Sequence, residues 1–172
     1  MATKNELADN PVRQQVNITR IFDAPRELVF KMWTDPELVE KWWGPKDFIN
    51  PVCELDARVG GIMRIVMQGP DGAKYPTRGV FNEIVEPERI VFSNIKESED
   101  GKAQLEVLNT VIFTEENGKT KMTFTAIVIS STPEACQSID GMNVGWNQSI
   151  DRFAENLQNL INIGQPLKIN DI

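Results

Sequence analysis

Hydrophobic positions along this chain alternate at first, switch to helical spacing, alternate again through the middle, and return to helical spacing near the carboxyl end. Val16 to Phe22 reads as a strand. Pro25 and Pro36 each stand where a helix can begin, with fixed φ and no donor to lose, and Glu27 and Glu37 follow where acids complement the helix dipole. Two short helices are predicted, roughly Pro25 to Thr34 and Pro36 to Trp42. Leu28, Val29 and Met32 form one face of the first, with Trp33 beside it. On the second, Leu38 and Trp42 meet four residues apart. Trp43, Gly44 and Pro45 end it.

The alternating region divides at turn residues. Phe48 to Asp56 is a predicted strand, Gly60-Gly61 a turn, and Ile62 to Met67 the hairpin partner. Gly69-Pro70-Asp71-Gly72 leads into Tyr75 to Val85, and Pro87-Glu88 turns the chain into Arg89 to Asn94. The polar run from Lys96 to Ala103 reads as a solvated hairpin tip of no special chemistry. Leu105 to Phe113 and Met122 to Ile129 are two longer strands joined through Asn117-Gly118, the strongest hairpin signal in the chain. The total is six or seven antiparallel strands in one sheet. Period-2 reading puts Leu105, Val107, Asn109, Val111 and Phe113 on one face, and Met122, Phe124, Ala126 and Val128 on the matching face of the partner. Leu108, Ile112, Ile127 and Ile129 then form an apolar outer surface. Such a surface calls for a cover, and a second subunit, giving a homodimer, is the expected one.

The last element is a long helix. Thr132 can cap it, Pro133 can take its first position, and Gly141 and Gly145 are expected to weaken or kink its early part. From Trp146 the stripe Trp146, Ile150, Phe153, Leu157, Leu160 and Ile161 needs one apolar surface, while Asn147, Asp151, Arg152, Glu155 and Gln158 take the other side. An α+β fold follows.

Composition narrows the class. At 172 residues and 41% hydrophobic, the chain suits a single soluble domain, expected over residues 15–165 with a flexible segment 1–14 and a tail 166–172. A net charge of -7 and scattered Lys and Arg argue against nucleic acid or an anionic membrane as partner. The first ten residues lack the apolar core of a signal peptide and no run is long enough to span a bilayer, so a cytoplasmic location is expected. Cys53 and Cys136 form no CxxC pair and read as small core residues, with no disulfide and no metal site. The chain has no histidine. That removes the commonest acid/base group, the usual protease triads and most zinc or non-haem iron sites.

Other candidate chemistry is sparse. Glu54 and Asp56 share a strand face as a paired-carboxylate mechanism requires, but Arg58 and Arg64 lie close across the turn, and a surface ion-pair cluster is the preferred reading. Arg20 falls between Ile18 and Phe22 on one face and is expected to reach inward to a carboxylate whose identity is open. Tyr75, the only tyrosine, reads as a rim residue or a hydrogen-bonding group for a ligand. Gly60-Gly61 lacks the spacing of a phosphate loop. Three tryptophans between Phe22 and Pro45 mark either a dense core corner, the preferred reading, or the mouth of an apolar pocket.

Taken in order, FDAP, a helix, WTDPE, WWGP, CELDARVGG, GVFNEIVEPERIVF and GWNQSIDRFAENL closely resemble bacterial proteins grouped with the C-terminal domain of the activator of the 90-kDa heat-shock-protein ATPase, within the START-like or SRPBCC superfamily. The resemblance spans roughly Val16 to Ile163. It implies a helix-grip fold, in which a curved sheet wraps the long C-terminal helix and leaves a cavity between them.

The inward strand faces then suggest the lining of that cavity. Met63, Ile65 and Met67 supply adaptable side chains, Val111 and Phe124 an apolar wall, and Ile150 and Phe153 the helix side. Trp33, Trp42 and Trp146 close one end. Asn109 interrupts an apolar row, and its amide is satisfied by neighbouring backbone or water, the preferred reading, or by a ligand. The expected function is binding of a small hydrophobic or amphipathic ligand by a carrier or sensor, without a cofactor. An enzyme of the polyketide cyclase or dehydratase kind is the alternative, and help to a chaperone ATPase, implied by the family name alone, comes third.

Overall fold

Alternation in the middle of the chain becomes one seven-stranded antiparallel sheet in the order β1-β7-β6-β5-β4-β3-β2. The computed structural model describes residues 15–98 and 100–163, the side chains of residues 136–138 excepted. The expected terminal segments 1–14 and 166–172 lie outside the described residues. The strands are β1 (Gln15–Phe22), β2 (Ile49–Leu55), β3 (Ile62–Gln68), β4 (Lys74–Val85), β5 (Arg89–Glu97), β6 (Ala103–Glu116) and β7 (Lys119–Ser131). Two short helices, α1 (Arg26–Thr34) and α2 (Pro36–Trp42), connect β1 to β2, and α3 (Cys136–Ile163) follows the sheet after a tight turn at Pro133–Ala135.

Local chemistry accounts for these boundaries. Asp35 caps α2, its side chain accepting from the Glu37 N–H at 3.0 Å, and Pro36 occupies the first turn. Asn117 and Gly118 both adopt positive φ, 54° and 80°, as the tight hairpin between β6 and β7 requires. Gly61 admits no side chain, because a Cβ there would lie 1.8 Å from the Asp56 carbonyl oxygen. Gly141 and Gly145 do not break α3, which runs unbroken over 28 residues. The cost of two helical glycines is offset by the packing of the rest of the helix.

The inward faces agree with the alternation. Leu105, Val107, Asn109, Val111 and Phe113 on β6 are all buried, as are Met122, Phe124, Ala126 and Val128 on β7. Cross-strand rungs carry this face across the sheet. Ile18, Phe124, Val111, Ile90 and Ile84 form one, and Met63, Gly79, Asn94, Val107 and Val128 form another nearer the α3 amino terminus. Over this face lie α1, against β6 and β7, and α3, against β1, α1 and α2. On the outer face Ile112 and Ile129 are exposed, Ile129 at 55%, whereas Leu108 and Ile127 are half-buried.

Arg20 does reach inward from β1, and its carboxylate is Asp151 on α3, 2.9 Å away and largely in solvent. The Glu54 and Asp56 carboxylates pair with Arg64 at 3.5 Å and Arg58 at 2.8 Å, an ordinary exposed cluster. Leu157 is buried on the stripe of α3, one turn beyond Phe153. Leu157→Ala is expected to cost about 2 to 5 kcal/mol in chemical denaturation, by emptying a core site, and Asp151→Ala less than about 1 kcal/mol, because the pair it breaks is exposed.

Candidate functional site

The aromatic segment divides into two parts with different surroundings. Trp33 and Trp42 are core. Trp42 donates its indole N–H to the Met32 carbonyl at 2.8 Å, Trp33 directs its own to the Met122 sulfur at 3.3 Å, and their rings meet edge-on at 4.7 Å. Phe153 from α3 packs on Trp42 at 5.0 Å, on Phe22 at 5.3 Å and on Trp33 at 5.8 Å. With both indole donors satisfied inside this cluster, neither ring has a polar edge to offer a ligand.

Trp43 serves the other part. The helix ends at Trp42, and the next residues turn away toward α3. Gly44 takes φ +97°, with the Met67 sulfur only 3.0 Å from where a Cβ would sit. Arg152 on α3 gathers the loop: Nη1 donates to the carbonyls of Trp43, Gly44 and Pro45 at 3.1, 2.9 and 2.9 Å, and Nη2 to that of Lys41 at 3.1 Å. These carbonyls belong to the last turn of α2 and the loop that follows it, where a cation is also favoured by the helix dipole. Asn50 adds donors to Glu40 at 2.9 Å and Trp43 at 2.8 Å, and Gln148 accepts from the Lys46 N–H at 3.1 Å.

Between this loop, the first turns of α3 and the inner face of β3 to β6 lies a pocket of about 280 Å³. Trp43, Gly44, Pro45 and Phe48 line it from the loop, and Gly141, Met142, Gly145, Trp146 and Ser149 from α3. The sheet contributes Met67, Tyr75, Thr77, Asn94, Lys96, Leu105 and Val107. Most of this surface is apolar. The polar groups of the sheet come from adjacent rungs: Thr77 on β4 is the register partner of Lys96 on β5, and Asn94 is on the same face one rung deeper. Phe48 and Lys96 flank the Tyr75 ring, with Phe48 at 5.8 Å between centroids and the Lys96 Nζ 5.5 Å from the centroid. Burial holds the Lys96 ammonium below the ordinary lysine pKa.

Of the residues singled out in the sequence as cavity lining, Met67 and Trp146 line this pocket, and Tyr75, read as a rim residue or a hydrogen-bonding group, lines it with them. Trp146 also touches the core, packing on Phe124 at 4.3 Å and on Trp43 at 5.2 Å. Trp33, Trp42, Met63, Ile65, Val111, Phe124, Ile150 and Phe153 belong to the packed interior. Asn109 is fully buried beside them. Its amide nitrogen donates to the Phe92 carbonyl at 3.3 Å and to Asn94 Oδ1 at 2.5 Å, so it braces the asparagine that does face the pocket. Lys96 differs from the expectation of a solvated tip. Strand β5 continues past Asn94, and alternation from Phe92 through Asn94 brings Lys96 to the inner face, while Glu97 turns outward to Arg78 at 2.9 Å. Extending the period by one more step is the signal that reveals it. Trp43, Gly44 and Pro45 carry no such signal, because their position depends on Arg152 far along the chain.

Nucleophilic chemistry finds little support here. Cys53 is a free thiol directed at the Pro36 carbonyl, 3.5 Å away, and burial, with Glu40 and Glu54 adding to it, pushes its pKa up to about 11. Among the described residues no group of three or more acidic or cysteine side chains is placed to hold a metal, and no helix is long and apolar enough to cross a membrane.

The Arg152 clamp yields a direct expectation. Arg152→Ala should cost about 2 to 4 kcal/mol of stability, since it removes the charged donor shared by the carbonyls of Lys41, Trp43, Gly44 and Pro45, and Arg152→Lys should restore only part of it because an ammonium cannot span the same set. Thermal and urea unfolding measure both.

Comparison with known proteins agrees with this architecture. None of the curated proteins matches the chain. Among solved structures, a protein of Arthrobacter aurescens superposes with TM-score 0.77 at 26% identity, over 86% of this chain and 88% of that one. One of Mycobacterium smegmatis gives 0.70 at 28%, over 87% and 91%. The AHSA1 protein of Silicibacter pomeroyi gives 0.68 at 21% over 84% and 97%, a likeness of fold alone. The family model described as activator of Hsp90 ATPase homolog 1-like protein matches residues 23–158, through both short helices, the whole of β2 to β7 and most of α3, and the chain therefore belongs to that family.

Proposed function

We propose that the protein binds a small hydrophobic or amphipathic molecule in the pocket beneath the first turns of α3, as a cytoplasmic carrier or sensor formed by a single domain. One observation supports this most: the inner face of the sheet is sealed by aromatic packing at one end and stands open at the other, where an apolar wall meets a few polar groups at adjacent rungs. Gly141 and Gly145 on α3 help create that opening. A Cβ at Gly141 would meet nothing within 4 Å, and at Gly145 only the Pro45 ring at 3.8 Å. The cavity, at about 280 Å³, lies at the small end of ligand sites, so a compact molecule is the fitting one. Catalysis of the cyclase or dehydratase kind ranks behind binding, because the lining offers Lys96 and Tyr75 but no carboxylate to work with them. A chaperone partner has no support beyond the family description.

The neutral probe N-phenylnaphthylamine, which fluoresces in apolar surroundings, should bind the wild type and alter emission from Trp43 and Trp146. Gly141→Leu should fill the pocket and weaken binding at least about tenfold, with unfolding temperature unchanged or raised because a helical glycine is replaced. Equal affinity in a folded Gly141→Leu protein would overturn the assignment. The same reading has two copies meeting through the outer face around Ile112 and Ile129. Sedimentation at micromolar concentration should then show a dimer, and a monomer would refute that part alone.

A further inference from the structure

Strand β5 brings one amide to the pocket, and a second amide behind it decides which of its atoms is offered. Asn94 lines the pocket opposite Gly79 on the β4–β5 ladder, so its neighbour on β4 has no side chain to cover it. On the other side, Asn109 stands diagonal to it on β6, since Asn94 pairs with Val107 and Phe92 with Asn109. Asn109 is fully buried, and its Nδ2 donates to the Phe92 carbonyl at 3.3 Å, the Val107 carbonyl at 3.5 Å and Asn94 Oδ1 at 2.5 Å. Its own Oδ1 accepts from no described residue. The acceptors around Nδ2 fix the orientation, because turning the amide over would set oxygen against two carbonyl oxygens. Asn94 is thereby held with Oδ1 toward Asn109, and its Nδ2, which donates to no described residue, is the group it offers the pocket. We propose that the ligand is a neutral carbonyl compound, a ketone or ester with a compact apolar body, whose oxygen accepts from Asn94 Nδ2, with Asn109 as the positioning residue that keeps this N–H turned outward.

A neutral acceptor fits better than an anion or an alcohol. Lys96 has an interaction of its own, and the neighbouring recess sets Lys74, Lys96 and Lys102 among Glu97, Asp100 and Glu134, so the described residues there hold no excess positive charge to draw an anion. A hydroxyl would bring a hydrogen that needs a second partner, whereas a carbonyl oxygen is satisfied by the Asn94 donor alone. Ser149 spends its hydrogen on the Gly145 carbonyl at 3.0 Å and cannot take over that donation. The volume of about 280 Å³ limits the body to a short chain or a small ring system.

This inference rests on the pocket reading, and displacement of N-phenylnaphthylamine by acetophenone and by α-methylstyrene, in which a methylene group replaces the carbonyl oxygen, separates the two. Asn94→Leu should weaken acetophenone about three- to tenfold and leave α-methylstyrene unchanged or tighter. In the infrared, the carbonyl band of isotope-labelled acetophenone bound to the wild type should lie below its position in hexane, and Asn94→Leu should return it most of the way. Asn109→Leu, at a position that does not line the pocket, should also raise that band and weaken acetophenone about twofold without affecting α-methylstyrene. A band unmoved by Asn109→Leu would overturn the positioning role. If acetophenone does not displace the bound probe, if Asn94→Leu weakens both compounds alike, or if the wild-type band sits at its hexane position, the carbonyl inference falls and the pocket stands. If neither the probe nor either compound binds, both fall. Should Asn94→Leu fail to fold, Asn94→Asp carries the same comparison, since a carboxylate has no N–H to donate, and the wild-type infrared band decides independently of every variant.

Discussion

Phe153 holds the molecule together. Its ring sits among Phe22 from β1, Trp33 from α1 and Trp42 from α2, so a single side chain of α3 joins three elements that lie far from it along the chain. Aromatic burial of this kind stabilises through area and through edge-to-face geometry together, about 0.5 to 1.5 kcal/mol per pair beyond the area contribution. Ile150 and Leu157 extend the contact one turn to either side. Because α3 is fixed there, its earlier turns are carried over the sheet without having to fill the space beneath them. The pocket is a consequence of that division of labour along one helix.

Much of the fold is legible in the sequence because its signals are local and periodic. Alternation locates the strands to within a few residues, proline and acid placement locates both short helices, and the stripe from Trp146 to Ile161 gives the face of α3 that packs. The paired surface charges of Glu54 and Asp56 are equally plain. The pocket is harder to read, for a physical reason: core and cavity lining draw on the same residue types. Val111 and Val107 share one face of β6, with Asn109 between them, yet Val111 is fully buried and Val107 borders the pocket. What separates them is where α3 packs down on the core, which Phe153 fixes, and no single strand encodes it.

Polar residues follow the same logic. Asn109 is conspicuous because it interrupts an apolar row, and the structure gives it a bracing role toward the Phe92 carbonyl and Asn94. Asn94 is inconspicuous at the end of its predicted strand, although it is the amide that faces the cavity. Lys96 is hidden by its company, since the acidic and glycine-containing residues after it describe a turn. The inner face of β5 therefore runs from Ile90 and Phe92, which are dry, through Asn94 to Lys96, a gradient of polarity laid out along one strand.

The border between interior and pocket runs through Trp43, which belongs to the core cluster and lines the pocket at once, while its neighbour Trp42 is wholly interior. The Trp43 N–H still bonds the Val39 carbonyl at 3.0 Å as the helix cap, and its ψ of 133° turns the chain that follows out of the helix. Change in the loop from Gly44 to Phe48 can therefore reshape the pocket wall while Trp42 stays packed on Trp33 and Phe153. The converse does not hold. One residue inserted within α2 would rotate Trp42 out of its contacts with Trp33 and Phe153 and drag the wall along with it. Variation in the pocket wall is thus confined to the residues after the Trp43 cap, a modular seam without a domain boundary.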